Sequence, residues 1–92
     1  MPSPFAALHL DLAAAEPLYQ QLYAEIRAAI LAGRIAPGTR LPSTRSLAAS
    51  LEVARATVVS AFEQLMAEGY LEGRSGSGTF VARDLPDDLL HA

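Results

Sequence analysis

Residues 41–81 read LPSTRSLAASLEVARATVVSAFEQLMAEGYLEGRSGSGTFV, and the order of turn-forming and apolar residues in this stretch decides the fold. Ser43 stands where a helix N-cap belongs, and Leu47, Ala48 and Leu51 follow with the spacing of one helical face. Glu52, Val53 and Ala54 then make a short turn. A further helix is expected from Arg55 to Glu68, with Val58, Ala61, Phe62 and Leu65 on one face and Gly69 suited to the left-handed residue that ends it. Two short strands, Tyr70 to Glu72 and Thr79 to Ala82, enclose a turn containing Gly73, Gly76 and Gly78.

Upstream, Leu18, Leu22, Ile26, Ala29 and Ile30 repeat with helical spacing between Pro17 and Ala32, with Pro17 suited to the first helical position and Gly33 to the cap. Tyr19 and Tyr23 flank that stripe as core margin. The segment from Arg34 to Pro42 holds Pro37, Gly38 and Pro42 and reads as a connecting loop. Residues 1–16 read as an extended or poorly ordered lead in which Leu8, Leu10 and Leu12 alternate as in a short strand. Residues 17–83 make one domain, and the acidic stretch 84–92 reads as the start of a linker. The expected fold is mostly α with a small antiparallel β-hairpin: three helices plus a wing, a winged helix-turn-helix.

Ninety-two residues, 51% of them hydrophobic, suffice for one small core. The chain has no cysteine, which excludes a disulfide framework and thiolate metal sites and suits a reducing cytoplasm. Its two histidines, His9 and His91, lie near opposite ends, so no metal site is expected. No basic residue precedes the first apolar stretch as in a secretory signal, and no apolar run is long enough to span a bilayer. A cytoplasmic protein with no membrane partner is expected.

The net charge of −3 is unusual for an isolated DNA-binding domain, which is commonly basic. Its distribution is more informative. Arg34, Arg40, Arg45 and Arg55 fall between residues 34 and 55 against Glu52 alone, while Asp84, Asp87 and Asp88 crowd one end and Asp11 and Glu16 the other. All seven basic residues are arginine. Without lysine the chain cannot form a Schiff base, so it binds no pyridoxal phosphate covalently.

A duplex major groove admits one helix, carried on a scaffold that also grips phosphates to fix the register. With residues 55 to 68 placed at about 100° intervals, the arc opposite the apolar face is Ala56, Val59, Ser60 and Glu63, flanked by Arg55 and Thr57. Ala56 and Val59 offer apolar contacts such as a thymine methyl, and Ser60 hydrogen-bonds to several base edges. Arg55 reaches a phosphate or forks onto guanine, and Thr57 with nearby amides holds another phosphate. Arg45 and Ser43 grip the backbone across the groove. The wing offers Arg74, Ser75, Gly76, Ser77 and Gly78, whose small side chains let the main chain approach the sugar-phosphate edge.

Plainer roles exist for the same residues. Arginines are often solvated surface charges, the reading given to Arg27, Arg34 and Arg83. Ser43 is first a helix cap, and Gly76 and Gly78 are hairpin-turn residues. The wing glycines do not make a nucleotide-cradling loop, because such a loop opens a helix and here a strand follows. No serine has a histidine and a carboxylate arranged around it, so no enzyme activity is expected.

Leu41, Pro42, Ser43, Arg45, Leu47, Ala48, Leu51, Val53, Arg55, Thr57, Val58, Ala61, Leu65, Glu68, Gly69, Leu71, Gly76, Gly78, Phe80 and Val81 resemble the pattern of the N-terminal domain of GntR-family bacterial transcription regulators. PLYQQLYAEIRAAIL, AFEQLMAEGYL and RSGSGTFV resemble its MocR subfamily, whose members join this domain through a linker to a large aminotransferase-like domain that binds pyridoxal phosphate and dimerises. The resemblance implies a regulator that binds an operator with paired half-sites as a homodimer. It implies DNA contacts at Ser43, Arg45, Arg55, Thr57 and Gly76, and a missing effector domain, the only place for pyridoxal phosphate. Three positions depart from the pattern: Glu52 replaces a usual glycine, Ala54 a usual serine, and Ala56 a polar residue. The rival reading is a winged-helix module for protein association, with Ala56 and Val59 meeting another chain. The acidic net charge supports it.

Overall fold

The stripe of Leu22, Ile26, Ala29 and Ile30 makes the first helix amphipathic, and in the computed structural model these side chains are the buried face of α1, Leu18–Leu31. The structure describes residue 5 and residues 8–86. Burial of each large aliphatic side chain is worth roughly 1.5–3 kcal/mol, so the stripe holds this helix more than its intrinsic propensity does. Pro17 takes an extended conformation (φ −56°, ψ 143°) and is the N-cap, one position outside the helix rather than its first residue. Its carbonyl accepts from the amides of Gln20 and Gln21. At the other end Gly33 (φ 80°) turns the chain, and the Arg34 amide returns to the Ala29 carbonyl at 2.9 Å.

Helix α2, Thr44–Leu51, begins where Ser43 Oγ accepts from the Ser46 amide at 3.1 Å. It buries Leu47 and Ala48. Glu52 closes it in the left-handed region (φ 58°, ψ 45°), where the amides of Glu52 and Val53 satisfy the carbonyls of Ala49 and Ala48. Helix α3, Arg55–Ala67, buries Val58, Ala61, Phe62 and Leu65, and packs on α1, α2 and the first strand. Its N-cap Ala54 is extended but has no side chain able to bond the first-turn amides. Gly69 ends it as expected, with the Tyr70 amide on the Leu65 carbonyl.

Strands β1, Leu71–Arg74, and β2, Gly78–Val81, pair antiparallel in the register Leu71↔Val81 to Arg74↔Gly78. The strands sit nearer the turn than the expected 70–72 and 79–82, taking in Gly73 and Gly78 and leaving out Tyr70 and Ala82. Gly73 lies inside β1 opposite Thr79 rather than in the turn, which is confined to residues 75–77. The expected loop 34–42 also contributes to the sheet. Arg40 bridges Phe80, the Leu41 amide donates to the Thr79 carbonyl, and the Val81 amide donates to the Thr39 carbonyl, both at 2.8 Å. The wing is thus clamped on its second edge by the strand-like approach to α2.

The alternation of Leu8, Leu10 and Leu12 does not make a strand. The lead runs along α1 instead, because side chains of that helix capture its amides: Glu25 Oε1 accepts from His9 at 2.9 Å and Gln21 Oε1 from Asp11 at 2.7 Å. Leu8 and Leu10 pack on the core while Leu12 is exposed. Phe5 and Leu85 are buried in the same core, so the packed unit reaches beyond 17–83 at both ends. The linker reading of 84–92 falls mostly outside the described residues.

Candidate nucleic-acid interface

The buried stripe of α3 leaves its other face to solvent. Arg55, Ala56 and Ser60 are exposed, and Thr57 and Val59 are partly so. Ser43 and Arg45 are exposed at the start of α2. Arg74, Ser75, Gly76, Ser77 and Gly78 are all exposed on the wing. Every residue singled out from the sequence therefore lies at the surface.

Specific bonds connect these pieces. Arg55 Nε donates to Thr44 Oγ1 at 3.1 Å, which pins the first residue of α3 to the first residue of α2. Ser43 fills its capping role, leaving its hydroxyl one remaining lone pair and a proton. In the wing, the Ser77 amide closes the turn onto the Arg74 carbonyl at 2.9 Å, with Gly76 at φ 76°. Arg74 is held in place, since its Nη2 lies 2.8 Å from Glu72 Oε1 and its Cζ sits 4.3 Å above the Phe80 ring. That pairing reduces the net positive charge the wing presents, and the i, i+2 spacing of Glu72 and Arg74 in one strand accounts for it.

Two further residues join this surface. Thr44 was silent because its role depends on how two helices meet, eleven residues from its partner. Arg40 lies within the basic cluster, in a segment whose Pro37, Gly38 and Pro42 read as a loop. In the structure it pairs with β2 and borders a depression of about 540 Å³ lined also by Leu41, Pro42, Ser43 and Ser46.

Away from this face, Arg27 Nε donates to Tyr70 OH at 3.1 Å, with its guanidinium 5.3 Å from that ring's centroid. Tyr23 OH donates to Glu68. Burial, then the hydrogen bond to Glu68 and its negative charge, push the Tyr23 phenol up to about 12. These contacts tie α1 to the end of α3. Among the described residues no cluster of metal-binding side chains occurs and no helix is long and apolar enough to cross a membrane.

Residues 18–81, from the start of α1 to the end of β2, match the bacterial regulatory proteins of the gntR family. The chain belongs to this family. Over 85 residues, 92% of its length, it is 54% identical to the probable rhizopine catabolism regulatory protein MocR of Rhizobium meliloti. It spans 17% of that relative. Among solved structures, YtrA from Sulfolobus acidocaldarius, a GntR-family transcription factor, superposes with a TM-score of 0.80 at 31% identity, covering 91% of this chain and 88% of that one. The DNA-binding domain of AraR in complex with operator ORX1 gives a TM-score of 0.67 at 33% identity, covering 80% of this chain and 98% of that one. The GntR-family chain is thus a winged helix-turn-helix DNA-binding domain of a transcription regulator, with the MocR-like character its sequence suggested.

Proposed function

We propose that the domain reads an operator by laying α3 in the major groove. Ala56, Val59 and Ser60 face base edges, while Arg55, Thr57, Arg45 and Ser43 hold phosphates on the two sides. The wing tip, Ser75, Gly76 and Ser77, follows the adjacent backbone or minor groove, with Arg74 and Gly78 at its base. The observation that carries this reading is the division of α3 into a fully packed apolar stripe and a solvent-facing arc that begins at Arg55. A helix used to recruit another protein through that arc would need a larger apolar surface than Ala56 and half-buried Val59 provide.

The chain matches only a small part of its MocR relative. We read it as the N-terminal, non-enzymatic part of a longer cytoplasmic regulator. There a following aminotransferase-like domain carries pyridoxal phosphate and makes the homodimer that places two α3 helices on paired half-sites. This chain supplies no lysine for that cofactor.

The test is selection of duplexes from a random-sequence library by the 92-residue chain, followed by salt titration of the winner with the native chain and Arg55→Ala. Affinity should fall steeply with salt, with Arg55→Ala weaker at every salt concentration. No enrichment, or binding indifferent to both salt and Arg55, refutes the reading and favours a protein-association module.

A further inference from the structure

The strip between the wing and α2 contains a cation, Arg40, to which the DNA contacts proposed above give no role. Arg40 is exposed, and its backbone is fixed by the bridge to Phe80 and by the flanking Thr39 and Leu41 bonds to β2. Its guanidinium packs against the wing main chain at Gly78. A Cβ placed on that glycine would lie 3.1 Å from Arg40 Nε, 3.5 Å from Nη2 and 3.7 Å from Cζ. Gly78 therefore answers two demands, a φ of 115° that side chains rarely adopt and room for the arginine.

Arg40 differs electrostatically from the wing's other cation. Arg74 is neutralised by Glu72 at 2.8 Å, whereas Arg40 has no acidic partner among the described residues. On its other side lies the depression bordered by Ser43 and Ser46, whose own amide and hydroxyl groups begin α2. From Ser43 the surface continues through Thr44 to Arg55. A planar cation with no acidic partner among the described residues is thus held between the wing and the first turn of α2, and packs on the main chain of Gly78 beneath it.

We propose that Arg40 is a phosphate-binding residue that joins the wing contact to the α2 contact on one DNA strand, with Gly78 as the platform that orients it. This rests on the DNA-binding reading above. It predicts a contact to the backbone and not to a base, because the side chain is anchored at the wing base and not carried on α3.

The experiment measures affinity against salt concentration for the selected duplex and for a scrambled duplex, using the native chain, Arg40→Ala, Arg40→Lys and Gly78→Ala. Loss of one phosphate contact lowers the slope of log K against log salt by about one. Arg40→Ala should show that reduction on both duplexes, with an unchanged melting temperature because the side chain is exposed. Arg40→Lys should retain the slope while binding more weakly, and Gly78→Ala should show the reduced slope of Arg40→Ala together with a lower melting temperature, since φ 115° strains an alanine. An Arg40→Ala slope equal to that of the native chain overturns the proposal, as does a loss confined to the selected duplex, which would mean base reading. Failure of the native chain to bind either duplex would instead refute the DNA-binding reading itself.

Discussion

Glu52 offers a way to separate backbone strain from charge at the turn between α2 and α3. It is the one non-glycine with positive φ among the described residues, at φ 58°, where an L side chain crowds its own carbonyl at a cost of roughly 1–2 kcal/mol. Glu52→Gly removes that strain but adds about 0.5–1 kcal/mol of unfolded-state freedom, so the midpoints leave a net stabilisation of about 0.75 kcal/mol. For a domain of this size the melting temperature should rise by about 3–6 °C. Glu52→Gln keeps the strain and removes the charge, so it should melt with the native chain. In DNA binding the ranking differs. A unit charge about 10 Å from a phosphate in water is worth about 0.4 kcal/mol, so both variants should bind about twofold tighter at low salt. Differential scanning calorimetry and fluorescence anisotropy read the two effects separately. If Glu52→Gln raises the melting temperature as much as Glu52→Gly does, charge rather than conformation governs the turn and the strain argument is refuted.

Two further outcomes follow from neighbouring features. Ala54 is an extended N-cap with no side-chain acceptor, so Ala54→Ser should stabilise the domain by about 1 kcal/mol in urea unfolding, and a loss of stability would show that this position cannot present a hydroxyl to the first turn of α3. Tyr23 is raised from 10.0 to about 12, so its contribution is complete below pH 10 and is lost as pH rises through 12, where the folded state must also ionise it. The melting temperature should therefore fall less steeply over that alkaline range in Tyr23→Phe than in the native chain, and identical slopes would contradict the Tyr23–Glu68 pairing.

The helices were legible because their apolar residues must share a face, and Leu22, Ile26, Val58, Ala61 and Leu65 are fully buried as that spacing demands. Local chemistry also showed through at Ser43, whose hydroxyl caps α2. What stayed hidden depends on main-chain partners distant in sequence. The strand-like run Thr39–Leu41 pairs with β2 through backbone groups that leave no residue signature, so the flanking Pro37, Gly38 and Pro42 suggest only a loop. The lead looks like a strand because Leu8, Leu10 and Leu12 alternate, but among the described residues no strand pairs with it and Gln21 and Glu25 take its amides. Pro17 misled by one position because both N-cap and first-turn sites tolerate its missing N–H. At the candidate interface, individual arginines were visible, but their bonding to Thr44 and Glu72 and the packing of Arg40 on Gly78 required the fold.

The two-sided character of α3 bears on how such a domain diversifies. Its inward residues are committed to holding three other elements together, whereas exposed positions such as Ala56, Ser60 and Glu63 touch solvent, where replacements usually shift stability by no more than about 0.5 kcal/mol. Binding preference can therefore drift through a series of still-folded intermediates, each altering the outer row alone. A duplicated gene of this kind would be free to acquire a new target without first acquiring a new scaffold.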